Sequence, residues 1–388
     1  MRRAAALLVT FAHCCRAAPL PPDDDDLVVE LPSLGKLRGT LASQGADYIF
    51  RAFKGVPFAE PPVSERRFQP PVPKKPWRPA TLSALQFKSE CTQRWPRIKY
   101  PTGAWDDVED CLYLNIYTPR RNTSRPPPKE GFPVWFYVHG GAYETGSAIA
   151  DGTGALFDPH WMYGAGFDDV VVVTTQYRLG AFGFLGGSEM KLHTSDGSAG
   201  NFGLQDQRLA MRWTREYISH FGGNPNQLML FGESSGGTSV AVHLVAERSF
   251  GLYERAAMES GNFFNWAYVP AKRADQMYNK MLKRVRWNNE TTGVTHRCSE
   301  AATSIKRLTC LRTAPLEAIA RAADSATAPD DDTWDSSQWG PVVDGVELLH
   351  SPAVLLAKGV VSNVPVIIGS NSNEGSGRVI CSQSSLNS

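Results

Sequence analysis

The chain has 388 residues and is 42% apolar, and Lys plus Arg (40) almost cancels Asp plus Glu (39), for a formal charge of +1. That apolar share excludes a disordered chain, and the charge balance gives no support for a nucleic-acid binder or an electrostatic membrane module. No apolar run approaches 18 residues and no fixed-period repeat is visible, which excludes a transmembrane helix and argues against solenoids and propellers.

The first residues are Met1-Arg2-Arg3, an apolar run from Ala4 to Ala12, and small residues before Pro19. They read as a secretory signal peptide over 1–18, which places the chain in the secretory pathway or outside the cell. The acidic run Asp23 to Asp26 reads as a solvated leader. Residues 61–79 hold seven prolines and are expected to wrap the surface. Residues 133–138 and 170–175 are continuous apolar or β-branched runs, as strands of a sheet covered on both faces require. Residues 201–221 carry helix periodicity: Leu204, Met211 and Ile218 are seven apart, and Leu209, Trp213 and Tyr217 four apart. Residues 228–231 predict a strand, 235–246 a helix, and 256–258 and 365–368 two further strands. Strands alternating with helices predict an α/β domain with a mostly parallel sheet.

Seven cysteines occur, and Cys14 and Cys15 would leave with the leader. In an oxidising compartment the next four suggest two short loops, Cys91–Cys111 and Cys298–Cys310, leaving Cys381 over. Scattered histidines and the absence of a C-x-x-C pair give little support for a metal site. Asn122 and Asn289 head N-x-S/T sequons, which are glycosylation acceptors if the chain is secreted.

The sharpest motif is Gly232-Glu233-Ser234-Ser235-Gly236, a G-x-S-x-G between a predicted strand and a predicted helix. That context is what a nucleophile elbow needs: a serine on a strained turn, with small neighbours that let strand and helix approach. The second is His139-Gly140-Gly141-Ala142-Tyr143 directly after a predicted strand. Acyl transfer needs backbone N–H donors aimed at an oxyanion, and glycines permit such geometry.

Taken with four further segments, these motifs resemble the type-B carboxylesterases, the serine esterase family that includes the cholinesterases. The segments are Phe53-Lys54-Gly55-Val56-Pro57-Phe58-Ala59-Glu60-Pro61-Pro62 with Arg67-Phe68, Glu109-Asp110-Cys111-Leu112-Tyr113-Leu114-Asn115, Tyr177-Arg178-Leu179-Gly180-Ala181-Phe182-Gly183-Phe184-Leu185, and Gly200-Asn201-Phe202-Gly203-Leu204-Gln205-Asp206-Gln207-Arg208. The resemblance runs from about Leu27 to Gly375 and implies an α/β-hydrolase fold over residues 19–377, with 378–388 as a tail unlike the family. It implies Ser234 as the nucleophile and Glu374 as the triad acid. It also implies oxyanion donors at Gly141, Ala142 and Ser235, and disulfides Cys91–Cys111 and Cys298–Cys310. Arg67 with Glu109, and Arg178 with Asp206, match buried structural ion pairs, and Ser260 matches a serine near the acid. Glu233 is not the base by this comparison. Ser235 stands where the family usually has alanine, and Ala142 where a glycine is common. Trp105 lies near the place of a choline-binding tryptophan without matching its spacing, and Trp266 is a candidate for the acyl pocket.

The implied reaction is hydrolysis of a small-molecule carboxylic ester, without a cofactor. The family's histidine lies downstream of the acid, yet the fourteen residues after Glu374 hold none. The expectation is a truncated sequence that lacks the next strand and terminal helices, leaves the 364–370 strand uncovered, and turns over esters weakly or not at all. Loss of one triad member leaves about 10³–10⁴-fold over water. The alternative is a non-catalytic binding or adhesion module of the same fold.

Overall fold

The computed structural model describes residues 24–44, 48–93, 108–120, 128–149, 159–164, 169–264, 267–289, 291–327 and 339–374. The expected leader 1–18, the tail 378–388, Asn122, Cys381, Trp105 and Trp266 lie outside the described residues.

The strands in chain order are β1 (Val28–Leu31), β2 (Gly35–Arg38), β3 (Thr40–Gln44), β4 (Tyr48–Pro57), β5 (Thr81–Ser83), β6 (Tyr113–Pro119) and β7 (Phe132–Val138). They continue with β8 (Val171–Thr175), β9 (Gly223–Glu233), β10 (Arg255–Glu259), β11 (Arg286–Asn288), β12 (Thr295–Arg297) and β13 (Val366–Gly369). The α-helices are α1 (Pro159–Gly164), α2 (Gly180–Phe184), α3 (Ser188–Lys191), α4 (Phe202–Tyr217), α5 (Ser235–Val245), α6 (Ala271–Arg284), α7 (Ser304–Thr313), α8 (Leu316–Thr327) and α9 (Pro352–Ala357).

One large sheet organises the molecule, in the order β13-β10-β9-β7-β8-β6-β4-β3. From β8 through β7, β9 and β10 to β13, neighbours run parallel. From β3 through β4 and β6 to β8 they run antiparallel. The centre forms where the sequence is most continuously apolar: all five residues of β8 are buried, and so are Val134, Phe136, Tyr137 and Val138 of β7. Helices cover these strands, so both faces are shut off from water and β-branched residues suit them.

The elements expected at 133–138, 170–175, 201–221, 235–246, 256–258 and 365–368 all occur, with ends shifted by a residue or so or, in the helix at 201–221, its last turn 3-10. Strand β9 is longer than the expected 228–231. It begins at Gly223, where it meets Phe132 before a register shift lets Pro225 pass without a ladder bond. Within the proline-rich stretch, Phe68 and Arg67 turn inward. Arg67 forks onto Glu109 and donates to the carbonyls of Leu311 and Ala314 at 2.9 and 2.7 Å, tying this wrap to the end of α7. The second ion pair, Arg178 with Asp206 (2.6 and 2.7 Å), fixes the turn after β8 to α4. Breaking either would strand a buried charge.

Among the described residues two disulfides are present, Cys91–Cys111 and Cys298–Cys310. Among the described residues no helix is long and apolar enough to cross a membrane.

Because β7, β9, β10 and β13 are parallel, the turns that follow all four emerge at the same edge of the sheet. Ligands of open α/β sheets bind beyond the carboxyl ends of the strands.

Candidate active site

Ser234 directly follows β9 and precedes α5, with φ 57° and ψ −123°. A non-glycine residue holds such a backbone only where its surroundings over-determine it. Here glycines supply that constraint. A Cβ on Gly236 would sit 2.1 Å from the Val138 carbonyl oxygen, one on Gly232 would sit 2.6 Å from the same atom, and one on Gly237 would sit 2.8 Å from the Glu259 carbonyl oxygen. Helix α5 is therefore pressed against β7 and β10 at its first turn. The Ser234 N–H donates to Glu259 O at 2.8 Å, and Thr238 N–H donates back to Ser234 O at 2.9 Å. The side chain is left half-buried at the strand edge, and no described imidazole nitrogen bonds to its hydroxyl.

The loop after β7 passes beside it. A Cβ on Gly140 would lie 3.1 Å from Ser234 Cβ. Gly141, Ala142 and Tyr143 follow with φ of 111°, 57° and 59°. The N–H groups of Gly141, Ala142 and Ser235 have no hydrogen-bond partner among the described residues. Successive N–H groups in left-handed backbone, close to a helix N-terminus, make a concavity suited to negative charge.

Glu374 arrives from the far side. Its Oε1 accepts from Ser260 Oγ at 2.5 Å and from Asn371 N–H at 2.9 Å. These bonds, the Ser260 hydroxyl first, hold the carboxyl below its usual range. Ser260 follows β10 as Ser234 follows β9, and its N–H donates to Gly369 O at 2.8 Å. One ladder of backbone bonds thus sets the Ser234 turn and the Glu374 loop side by side. Glu233 lies between them with its carboxylate against Gly140. Burial, then the charges of Glu259 and Glu374, push its acidity down, so it holds its proton to higher pH than an ordinary glutamate.

Three described histidines have other partners or face solvent. His139 is buried with Nδ1 on Gly140 O (2.9 Å) and its ring stacked on Tyr177, and burial lowers it to about 4. His243 is enclosed on α5 between Gln207 (2.9 Å) and Ser249 (2.8 Å), and burial lowers it to about 3. His350 is exposed. Asn289 sits at the start of the exposed β11–β12 turn, its Oδ1 accepting from Thr291 N–H and Thr292 N–H.

Sequence reasoning did not single out Gln93, and it named Tyr143 and Tyr177 within motifs without giving either a role of its own. Tyr177 OH donates to His139 O at 2.8 Å, Tyr143 OH accepts from Ser239 Oγ at 3.3 Å, and Gln93 reaches Gly146. No local pattern marks such residues, because each works through a distant segment.

A model of the carboxylesterase family matches residues 25–386. Acetylcholinesterase of Danio rerio is 35% identical over 392 residues, which cover 95% of this chain and 54% of that protein. Venom carboxylesterase-6 of Apis mellifera is 34% identical over 349 residues, 88% of this chain and 56% of that protein. Carboxylic ester hydrolase of Bombus ignitus is 34% identical over 354 residues, with 88% and 56% covered. The chain spans about half the length of the curated relatives it matches.

Proposed function

The chain belongs to the carboxylesterase family, with the α/β-hydrolase fold, and from that premise we propose that it serves a carboxylic ester hydrolase whose Ser234 forms the acyl-enzyme. The observation that carries the proposal is the strained Ser234 turn beside three unpaired N–H groups on one strand edge.

In this reading Ser234 Oγ attacks the ester carbonyl and gives its proton to a base. The carbonyl π pair moves to oxygen, and the resulting oxyanion accepts from the N–H groups of Gly141, Ala142 and Ser235. The tetrahedral adduct collapses, the C–O bond to the alcohol breaks, and the departing alkoxide takes the proton. Water then repeats the attack and frees the acid. A serine needs an imidazole for this proton traffic. Glu374, whose carboxyl accepts from Ser260 and Asn371, supports this reading as the group that would orient such an imidazole. The reading covers a hydrolase domain over 19–377, a leader at 1–18, a tail at 378–388, and glycans on Asn122 and Asn289. The two disulfides support a secretory compartment.

A fluorophosphonate probe tests the proposal. The protein isolated from its source is expected to carry the label on Ser234 by peptide mass spectrometry, and Ser234→Ala is expected to lose it together with hydrolysis of a p-nitrophenyl ester. Labelling elsewhere, or hydrolysis retained in the variant, would remove the assignment. No labelling of a protein that carries a histidine downstream of Glu374 would leave the non-catalytic binding module in its place.

A further inference from the structure

The loop 141–146 holds a conformation that its own residues resist. Ala142 and Tyr143 are consecutive non-glycine residues with φ near +58°, at 57° and 59°. Side chains disfavour that region, and runs of it are rarer still. Bonds inside the loop supply part of the restraint: Glu144 N–H and Thr145 N–H donate to Gly141 O at 3.0 and 2.9 Å, and Thr145 Oγ1 adds a third bond at 3.1 Å. The Gly180 N–H also holds Tyr143 O at 2.7 Å.

Two side chains from other segments grip the same loop. Ser235 is fully buried, and its Oγ accepts from Tyr143 N–H at 3.3 Å. That bond uses a hydroxyl at a position where an alanine would offer nothing. At the other end the Gln93 amide closes on Gly146 twice: Nε2 donates to Gly146 O at 2.9 Å, and Oε1 accepts from Gly146 N–H at 3.2 Å. Gln93 is itself held by Glu90, whose Oε2 accepts from Nε2 at 3.1 Å, and its backbone lies two residues from the Cys91–Cys111 disulfide. The loop is therefore tied to the helix that follows the nucleophile at one end and to a covalently anchored segment at the other. Gly141 and Ala142 lie next to the first tie and within five residues of the second.

We propose that the Ser235 hydroxyl and the Gln93 amide are positioning groups that clamp loop 141–146, so that the Gly141 and Ala142 N–H groups converge with that of Ser235 before substrate arrives. The proposal rests on the reading of those three N–H groups as the oxyanion site. Neither side chain touches substrate. Each acts through the backbone of Tyr143 or Gly146, and preorganised donors lose effect when they are free to wander.

The test compares wild type with Ser235→Ala and Gln93→Ala on the full chain. Three quantities are read: amide hydrogen exchange of the 141–146 peptide, kinact and KI for a fluorophosphonate, and the unfolding temperature. Exchange is expected to quicken at Tyr143 in the first variant and at Gly146 in the second. For each variant kinact is expected to fall about tenfold with KI unchanged, because a sub-ångström loss of alignment weakens the reacting geometry more than binding. Two variants on separate elements guard against one failing to fold. Exchange and kinact both unchanged in both variants would overturn the proposal. If wild type itself does not react with the probe, exchange alone decides the clamps: quickened exchange upholds them, unchanged exchange refutes them, and the acyl-enzyme reading is judged by labelling of the protein isolated from its source.

Discussion

The two catalytic candidates stand on one sheet edge but on different foundations. Ser234 sits where β7, β9, β10 and α5 press together so closely that a single added carbon would overlap a carbonyl oxygen. Glu374 hangs after β13, a strand whose four residues are all exposed, with Ile367 and Ile368 at 70% and 64%. Strand β13 pairs with β10 on one side and is the last strand of the sheet among the described residues. Ser234 is thus placed by backbone packing, and Glu374 by two hydrogen bonds. Packing of that kind tolerates no change of shape, whereas hydrogen bonds at a surface compete with water and can be remade.

The largest effect should come from overfilling the packed side. Gly236→Ala puts a Cβ 2.1 Å from Val138 O, and the shift it forces is expected to cost about 3 kcal/mol in urea unfolding. A midpoint equal to wild type would show that the approach of α5 to β7 is not what fixes Ser234.

Acid should next expose the same side. An unfolded histidine takes up a proton near 6.5, while the folded chain keeps His243 neutral down to about 3 and His139 down to about 4. Across that window the unfolded state binds more protons, so stability falls as pH drops below 6.5. Below the folded values the loss is complete. Urea midpoints between pH 7 and 4 measure it, and His243→Gln is expected to flatten the slope. A slope unchanged in that variant would remove His243 from the account.

A smaller, local change is expected at Glu374. Ser260→Ala removes the bond that contributes most to the low pKa of Glu374. The carboxyl should then titrate at higher pH by carbon-13 NMR with little change in unfolding temperature. An unmoved titration would mean that Asn371 alone holds the group.

The smallest expected effect is on β13. Ile367→Lys should change stability by no more than about 0.5 kcal/mol, since the side chain is 70% exposed, and it should reduce self-association in sedimentation because a charge blunts an open edge. A loss of about 2 kcal/mol or more would show that some further segment covers this strand.

What could be read in advance follows the same division. The elbow at Gly232-Glu233-Ser234-Ser235-Gly236 and the buried strands β7 and β8 were legible, because small residues at fixed offsets and unbroken β-branched runs leave few other conformations. The antiparallel half of the sheet was not: β3, β4 and β6 carry mixed polar residues, and although β3 and β4 pair locally, β4 with β6 and β6 with β8 pair across long stretches of chain. The clamps were equally hidden. Gln93 and Gly146 are 53 residues apart, and Tyr143 and Ser235 are 92 apart. Ser235 stands where the family usually has alanine, and its hydroxyl accepts a hydrogen bond from the Tyr143 N–H of the loop.

By itself, then, the sequence determined where the chain must turn tightly and where it must lie buried, because steric limits on glycine, serine and β-branched residues act within a few bonds. Only the tertiary structure decided which N–H groups stay unpaired beside Ser234 and which side chains hold them there. Those are contacts between segments whose meeting depends on the packing of the whole sheet.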